Sequence, residues 1–308
     1  MPEISIILAA YNAEKTINRM LDSIICQTFS DWELIAIDDG SSDSTGRILD
    51  NYAGKDNRIR VIHKKNGGVA AARQDGIDSA EGEYTIHADA DDWVEPDMLE
   101  DMHDVAKKDN ADIVIADFFT DANGKSIITI QQPTSLTRED VLYGLYAKGL
   151  FGGLCHKLIK KSVYDKASAF FIPGINYCED LLVLTQILSR TTPKISYIPK
   201  AYYHYVVNGE SLTQKVSADG LKSMRRFHKE AIKFLPDDKN YQKVKNSFDK
   251  NEFTVYFTNR LYSNRSELQE EYRRLKPILL VSSGLRWRIG YLCIGLGWTF
   301  LAHRLIRF

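Results

Sequence analysis

Over the first 117 residues, hydrophobic and polar positions switch repeatedly between two periods. Short β-rich runs at Ile4–Ala9, Glu33–Ile37, Ile59–Ile62, Tyr84–His87 and Ile113–Ala116 predict strands. Between them the spacing is helical. Ile17, Leu21, Ile24 and Ile25 define one apolar face, Val69, Ala72, Ile77 and Ala80 a second, and Met98, Met102, Val105 and Ala106 a third. Strand and helix alternating in this way predict an α/β fold, a mostly parallel central sheet flanked by helices. Ligands of such sheets sit beyond the carboxyl ends of the strands, so the residues just after each strand are the ones to read for chemistry.

Residues 118–215 are less regular. Asp121-Ala122-Asn123-Gly124-Lys125 predicts a turn between two strands, the second at Ser126–Ile130. Thr137 caps a short helix, Glu179–Ser189 forms an apolar-faced helix, and Ile195–Tyr205 is β-rich and aromatic. From 216 onward the pattern is helical and basic as far as Arg274, and Pro277 introduces an apolar tail.

Composition changes this picture only when it is divided. The 308 residues carry 40 Lys plus Arg against 41 Asp plus Glu, a net charge of −1 that excludes a globally basic nucleic-acid binder. Residues 1–215 hold 22 basic and 32 acidic side chains, whereas residues 216–308 hold 18 and 9. The chain is an acidic part followed by a basic one. Cys26, Cys155, Cys178 and Cys293 are far apart, which argues for reduced thiols in a cytosolic protein and against a zinc site or disulfide scaffold. The N-terminus has no basic segment followed by a long apolar run, so no signal peptide is expected.

Three acidic clusters follow predicted strands or open a helix: Asp38-Asp39, Asp89-Ala90-Asp91-Asp92 and Glu179-Asp180. Carboxylates gathered at one sheet edge repel one another unless a cation or donor offsets them. Single acids such as Asp43 and Glu95 read as helix-terminal residues, but three in four residues exceed what a cap requires. An EF-hand loop is excluded by its missing Gly and terminal Glu. Two carboxylates leave most of an octahedral shell open, which suits Mg²⁺ or Mn²⁺ shared with substrate phosphates. Asn66-Gly67-Gly68, before the helix that carries Arg73, offers backbone N–H groups and one cation to such phosphates. Neither the dinucleotide nor the Walker glycine motif occurs.

Together these segments resemble the family 2 glycosyltransferases. The resemblance rests on Ile4-Ser5-Ile6-Ile7-Leu8-Ala9-Ala10-Tyr11-Asn12, Gln27-Thr28-Phe29, Trp32-Glu33-Leu34 and Ile37-Asp38-Asp39-Gly40-Ser41-Ser42-Asp43. It continues through Asn66-Gly67-Gly68 to Arg73, Asp89-Ala90-Asp91-Asp92-Trp93 as a D-x-D motif, and Glu179-Asp180. It implies a GT-A fold and an inverting, metal-dependent transfer of a hexosyl group from a nucleotide sugar. Residues 1–117 would bind the nucleotide sugar and 118–215 the acceptor, with 216–308 a basic helical extension.

Roles follow from the resemblance, position by position. Ala9, Tyr11, Asn12, Asn66 and Ala90 would border the nucleotide. Asp39 would accept from the uracil N3–H, which favours a UDP-sugar, and Arg73 would meet either the diphosphate or the base. Asp89 would face the ribose and Asp91 a Mn²⁺ or Mg²⁺ ion, with Asp92 an alternative ligand and His204 a further one. Asp180 would be the general base, and Glu179 and Trp93 would border sugar or acceptor. Trp93 as plain core, and His204, His156 and His63 as packed or surface residues, are the competing readings. Two departures stand out: Ala9 replaces a usual proline, and Val206 replaces a usual Arg for which His204 or Lys215 would compensate.

The tail from Ile289 to Ala302 carries no charge, and arginines flank it. As one helix it would rise ~21 Å, short of the ~30 Å hydrocarbon core. An interfacial helix on an anionic membrane surface is expected for 285–308, with packing on the catalytic part or a homodimer contact as alternatives. The expectation is a cytoplasmic enzyme, peripheral on the inner face of the cell membrane, acting on a glycan or lipid-linked saccharide in cell-surface polysaccharide synthesis. A sugar-phosphate nucleotidyltransferase and a non-catalytic nucleotide- or membrane-binding relative are the other classes considered.

Overall fold

The four runs nearest the N-terminus become the parallel half of a nine-stranded sheet in the computed structural model, which describes residues 1–207, 217–281 and 284–306. They are β1 (Ile4–Ala10), β2 (Trp32–Asp38), β3 (Ile59–His63) and β4 (Tyr84–Asp89), linked by α1 (Ile17–Ile25), α2 (Thr45–Ala53) and α3 (Val69–Ser79). Their order, β3-β2-β1-β4, reverses direction between β1 and β4. That reversal opens a crevice at the carboxyl ends. The register puts the acids there side by side: Ala10 pairs with Asp38, and Ala9 pairs with Asp89.

The sheet separates two apolar layers. Ile6, Leu8, Leu34, Ala36 and Ile86 pack with Met20, Leu21, Leu99 and Met102. Ile7 and Ile37 face α3, where a Cβ on Gly76 would come within 2.4 Å of Ile7. Each fully buried Leu or Ile contributes roughly 1.5–3 kcal/mol, which makes the strand ends a rigid platform.

Beyond β4 the sheet is mixed, where the sequence suggests a mostly parallel one. The further elements are β5 (Trp93–Val94), α4 (Met98–Asp109), β6 (Ile113–Ala122), β7 (Lys125–Thr129) and α5 (Arg138–Ala147). They are followed by β8 (Lys157–Lys160), α6 (Lys161–Ala167), α7 (Glu179–Arg190) and β9 (Ile195–Val206). β8 enters antiparallel between β4 and β6, while β9 runs parallel to β6 past an irregularity at Ala116–Phe118. β9 then pairs with β5, setting Trp93 opposite His204 and Val94 opposite Tyr203. Thr137 caps α5 as its sequence implies, accepting from the Asp140 N–H.

The chain divides into two compact units, Met1–Gly209 and Glu210–Phe308. The second is helical: α8 (Ala218–Ile232), α9 (Lys239–Thr258), α10 (Arg265–Val281), α11 (Leu285–Gly295) and α12 (Thr299–Leu305). Ser217 and Asp238 cap α8 and α9. The tail differs from expectation in two ways. Pro277 lies inside α10, where buried Leu275 and Leu279 on either side hold the helix in the core. The uncharged stretch is also not one helix: Gly297, at φ +79°, separates α11 from α12. Among the described residues, no helix is long and apolar enough to cross a membrane. All four cysteines are free thiols.

Candidate active site

Asp39 follows β2 and is buried. Its two carboxylate oxygens accept from the backbone N–H groups of Gly67 and Gly68, each at 2.8 Å. The N–H groups expected to cradle phosphate are thus directed at a carboxylate. Gly68 reaches this position at φ +85°, and a Cβ there would meet the Asn176 amide at 2.6 Å. Asn12, also left-handed at φ 49°, joins the loops after β1 and β2: its N–H donates to Ser41 Oγ, and its Oδ1 accepts from the Ser42 N–H. Beside it Tyr11 is exposed. Asn66 is exposed next to Gly67, and Ala9 and Ala90 line the ends of β1 and β4.

Arg73 projects from α3 into the crevice and is 5% exposed. Its guanidinium donates to Asp89 Oδ1 at 2.7 Å, to Glu179 Oε1 at 2.6 Å and to Asp180 Oδ1. Arg73, expected at a diphosphate or a base, joins the D-x-D turn to the N-terminus of α7. The other Asp180 oxygen accepts from the Leu154 N–H at 3.1 Å. Three carboxylates around one guanidinium leave negative charge uncompensated. Burial raises the Asp180 carboxyl to about 7, although Arg73 opposes the rise.

The members of Asp89-Ala90-Asp91-Asp92 diverge. Asp89 is half-buried on Arg73, and Asp91 is exposed. Asp92 turns inward, where Tyr203 Oη donates to one oxygen at 2.7 Å and the Val206 N–H to the other at 2.8 Å. Burial, with Asp89 and Asp91 nearby, pushes its carboxyl up to about 8. Among the described residues no group of three or more His, Cys, Asp or Glu side chains is arranged to hold a metal. Both nitrogens of His204 face carboxylates, Asp121 at 3.0 Å and Glu95 at 3.1 Å. The ring stacks on Trp93 and Phe119, and Trp93 Nε1 donates to Asp121. His204 is thus buried and paired within the fold. His63 lies between Asp38 and Asp50, and His156 is fully buried. Lys215 lies outside the described residues.

One cluster has no counterpart in the sequence reading. Lys157, at the start of β8, is buried, and its ammonium contacts Phe151 O and Gly153 O at 2.7 Å and His156 Nε2 at 2.6 Å. Three acceptors match its three N–H bonds. The ammonium pins the loop whose next residue, Leu154, donates to Asp180. A lysine inside the apolar run Leu154-Cys155-His156-Lys157-Leu158-Ile159 is the signal that could have found it.

A strand-order reversal bordered by buried carboxylates and one guanidinium is where a sheet of this kind places its ligand. The sequence profile of Glycosyl transferase family 2 matches residues 5–167, and the chain belongs to that family. EpsH of Bacillus subtilis, named as a glycosyltransferase, is 31% identical over 260 residues, covering 80% of this chain and 73% of EpsH. The cholesterol galactosyltransferase of Borreliella burgdorferi is 31% identical over 70% of this chain and 63% of its own length, so the match leaves over a third of that enzyme uncovered. The structure of Staphylococcus aureus TarS 1–349 in complex with UDP-GlcNAc superposes with a TM-score of 0.70 at 20% identity, covering 99% of this chain and 90% of TarS 1–349. The Pyrobaculum calidifontis mannosyltransferase in complex with GDP-Man and Mn²⁺ gives a TM-score of 0.58 at 16% identity, over 99% and 85% of the two chains. The chain is a glycosyltransferase with a GT-A fold; the nucleotidyltransferase and non-catalytic readings are not favoured.

Proposed function

We propose that the chain transfers a sugar from a UDP-sugar to a hydroxyl of a glycan or lipid-linked saccharide, with inversion at the anomeric carbon. The observation that supports this reading is the linkage, through Arg73, of the D-x-D turn to the half-buried Asp180. A sugar hydroxyl is a weak nucleophile until a base takes its proton during attack. Asp180, with a carboxyl raised to about 7, is matched to that task near neutral pH. Arg73 and the Leu154 N–H hold the carboxylate in place. Glu179 and Trp93 border the acceptor side. Asp39 uses two of its roughly four lone-pair positions on Gly67 and Gly68, and the remainder accept the uracil N3–H.

The donor set fits a hard divalent cation, Mg²⁺ or Mn²⁺, held by the exposed Asp91 beside Asp89 and completed by phosphate oxygens. Such a cation, when bound, neutralises charge on the leaving diphosphate. Asp92 and His204 are committed to internal partners and stand outside this set.

The test is nucleotide release from UDP-, GDP- and dTDP-sugars with Mg²⁺, Mn²⁺ or a chelator. Cation-dependent UDP release that Asp91→Ala abolishes is expected. Release from GDP- or dTDP-sugars alone would overturn the uracil assignment. Full activity in the chelator would overturn the metal.

A further inference from the structure

The second unit turns a face of large apolar side chains to solvent. Leu285, Ile289 and Leu292 on α11 and Leu296 at its C-cap recur at spacings of four, three and four residues, so they share one stripe. All four are exposed, Leu285 by 76%. Trp298, Phe300 and Leu301, at and within the start of α12, are exposed as well, Phe300 by 78%. The same helices have already filled a core with Tyr291, Ile294 and Ala302, so the outer stripe is surplus to packing inside the unit. An apolar array of this extent on a soluble surface marks a contact site.

The charges around it select the partner. Arg286, Arg288 and Arg304 are exposed on the same two helices, and no acidic residue follows Glu271 in the chain. A cleft of about 390 Å³ adjoins the stripe, lined by Leu292 and Leu296 on one side and by Gln269, Tyr272, Arg273 and Lys276 on the other. Apolar floor and cationic wall together suit an amphiphile with an anionic head. A second copy of this chain is a poor match, because a face carrying arginines and no acid meets its own arginines across a two-fold axis.

We propose that the α11–α12 face docks on an anionic phospholipid bilayer. The leucines, Ile289, Trp298 and Phe300 enter the boundary below the headgroups, and Arg286, Arg288, Arg304, Arg273 and Lys276 meet lipid phosphates. α11 has 11 residues and rises about 17 Å, so it lies in the interface and does not cross it. This docking does not depend on the sugar-transfer reading, since all its residues lie in the span from Arg265 to Leu305, within the second unit.

The experiment is co-sedimentation of the full chain with phosphatidylcholine vesicles, with and without phosphatidylglycerol, at low and high salt. Tryptophan emission is followed in parallel. Binding only to anionic vesicles, weakened by salt and accompanied by a blue shift, is expected. Ile289→Asp with Leu292→Asp should abolish it while leaving the circular dichroism unchanged. Arg286→Gln and Arg288→Gln should each weaken it about fivefold. Equal binding by the double aspartate variant, or none by the natural chain, would overturn the proposal. So would a concentration-dependent dimer in sedimentation velocity that the aspartates dissolve without any vesicle binding, since the face then belongs to a second copy. If the aspartates disturb folding, the two glutamine variants decide: binding that neither weakens removes the anionic-lipid assignment.

Discussion

The two units depart from the ordinary partition of polar and apolar atoms in opposite directions. In the first, Asp39, Asp92, Arg73 and Lys157 are withdrawn from water; in the second, leucines and aromatics of α11 and α12 are left in it. Charged side chains are seldom buried without partners, and large apolar patches are seldom exposed without a use. In the first unit the offset is internal: each buried charge meets hydrogen-bond partners supplied by sheet register and loops. In the second unit the same helices hold no such offset, and the proposed bilayer would supply it. An inward departure identifies chemistry, and an outward one identifies a surface to be met.

The largest expected effect breaks or upholds the inward half of this contrast. Asp180→Asn keeps the shape of the carboxylate and removes its basicity, so turnover should fall by about 10²–10⁴-fold. Equilibrium binding of UDP should persist, because Asp180 is assigned to the acceptor and not to the nucleotide. The pH dependence has a definite sign. Asp180 acts ionised, and burial holds its carboxyl at about 7, so kcat/KM should rise with pH and level off above that value. Unchanged turnover in the variant would make the buried cluster a packing device, and a flat profile between pH 6 and 8 would detach it from proton transfer.

How much of this was readable in the chain depends on whether the signal is local. The parallel strands were legible because their runs are short, β-branched and bounded by helical spacing, and the acids after β2 and β4 followed from strand ends alone. β5 was not legible, since two residues have no period. β8 was not, because its place between β4 and β6 is set by pairing across the sheet and not by its own four residues. The site shows the same limit. Asp39, Asp89 and Asp180 could be named as carboxylates near a ligand. The sequence does not say that the Gly67 and Gly68 N–H groups would face Asp39, or that Arg73 would bridge three acids, because the acceptors come from distant elements. The break in the tail is not legible because apolarity is continuous through Gly297 while the helix is not.

Lys157 sharpens the contrast, because it is a buried charge assigned no contact with substrate. Burial lowers its ammonium to about 7, and His156 beside it stays neutral for the same reason. Lys157→Met fills the volume and releases Phe151 O and Gly153 O, so the Leu154 N–H loses its fixed aim at Asp180. Turnover should drop about tenfold, the scale of one charge-assisted hydrogen bond, with KM for the donor unchanged. The readout that a purely structural role would not move is the acidic limb of the pH profile. The Leu154 bond favours the ionised acid, so its loss should shift that limb to higher pH. A proportional loss of activity at every pH would leave Lys157 as a folding residue.

Asp92→Asn has the smallest expected effect and separates structural burial from functional burial. Both carboxylate oxygens are used within the fold, on Tyr203 and the Val206 N–H, and Tyr203 Oη in turn accepts from the Asp89 N–H. Burial raises the acid to about 8 when folded, against roughly 3.9 in an unfolded chain. Between those values the unfolded chain has released a proton that the folded one retains. Stability contributed by the protonated form is therefore complete at acid pH and is lost as pH rises toward 8. Asparagine has the shape and neutrality of the protonated acid and does not titrate. Melting temperatures of the two proteins should agree within about 3 °C at pH 5, and the variant should lead at pH 9. Parallel melting curves across that range would show that Asp92 is ionised in the fold. Turnover and cation dependence should stay close to those of the natural chain; their collapse would return Asp92 to the cation and place the boundary between scaffold and chemistry one residue further along the acidic turn.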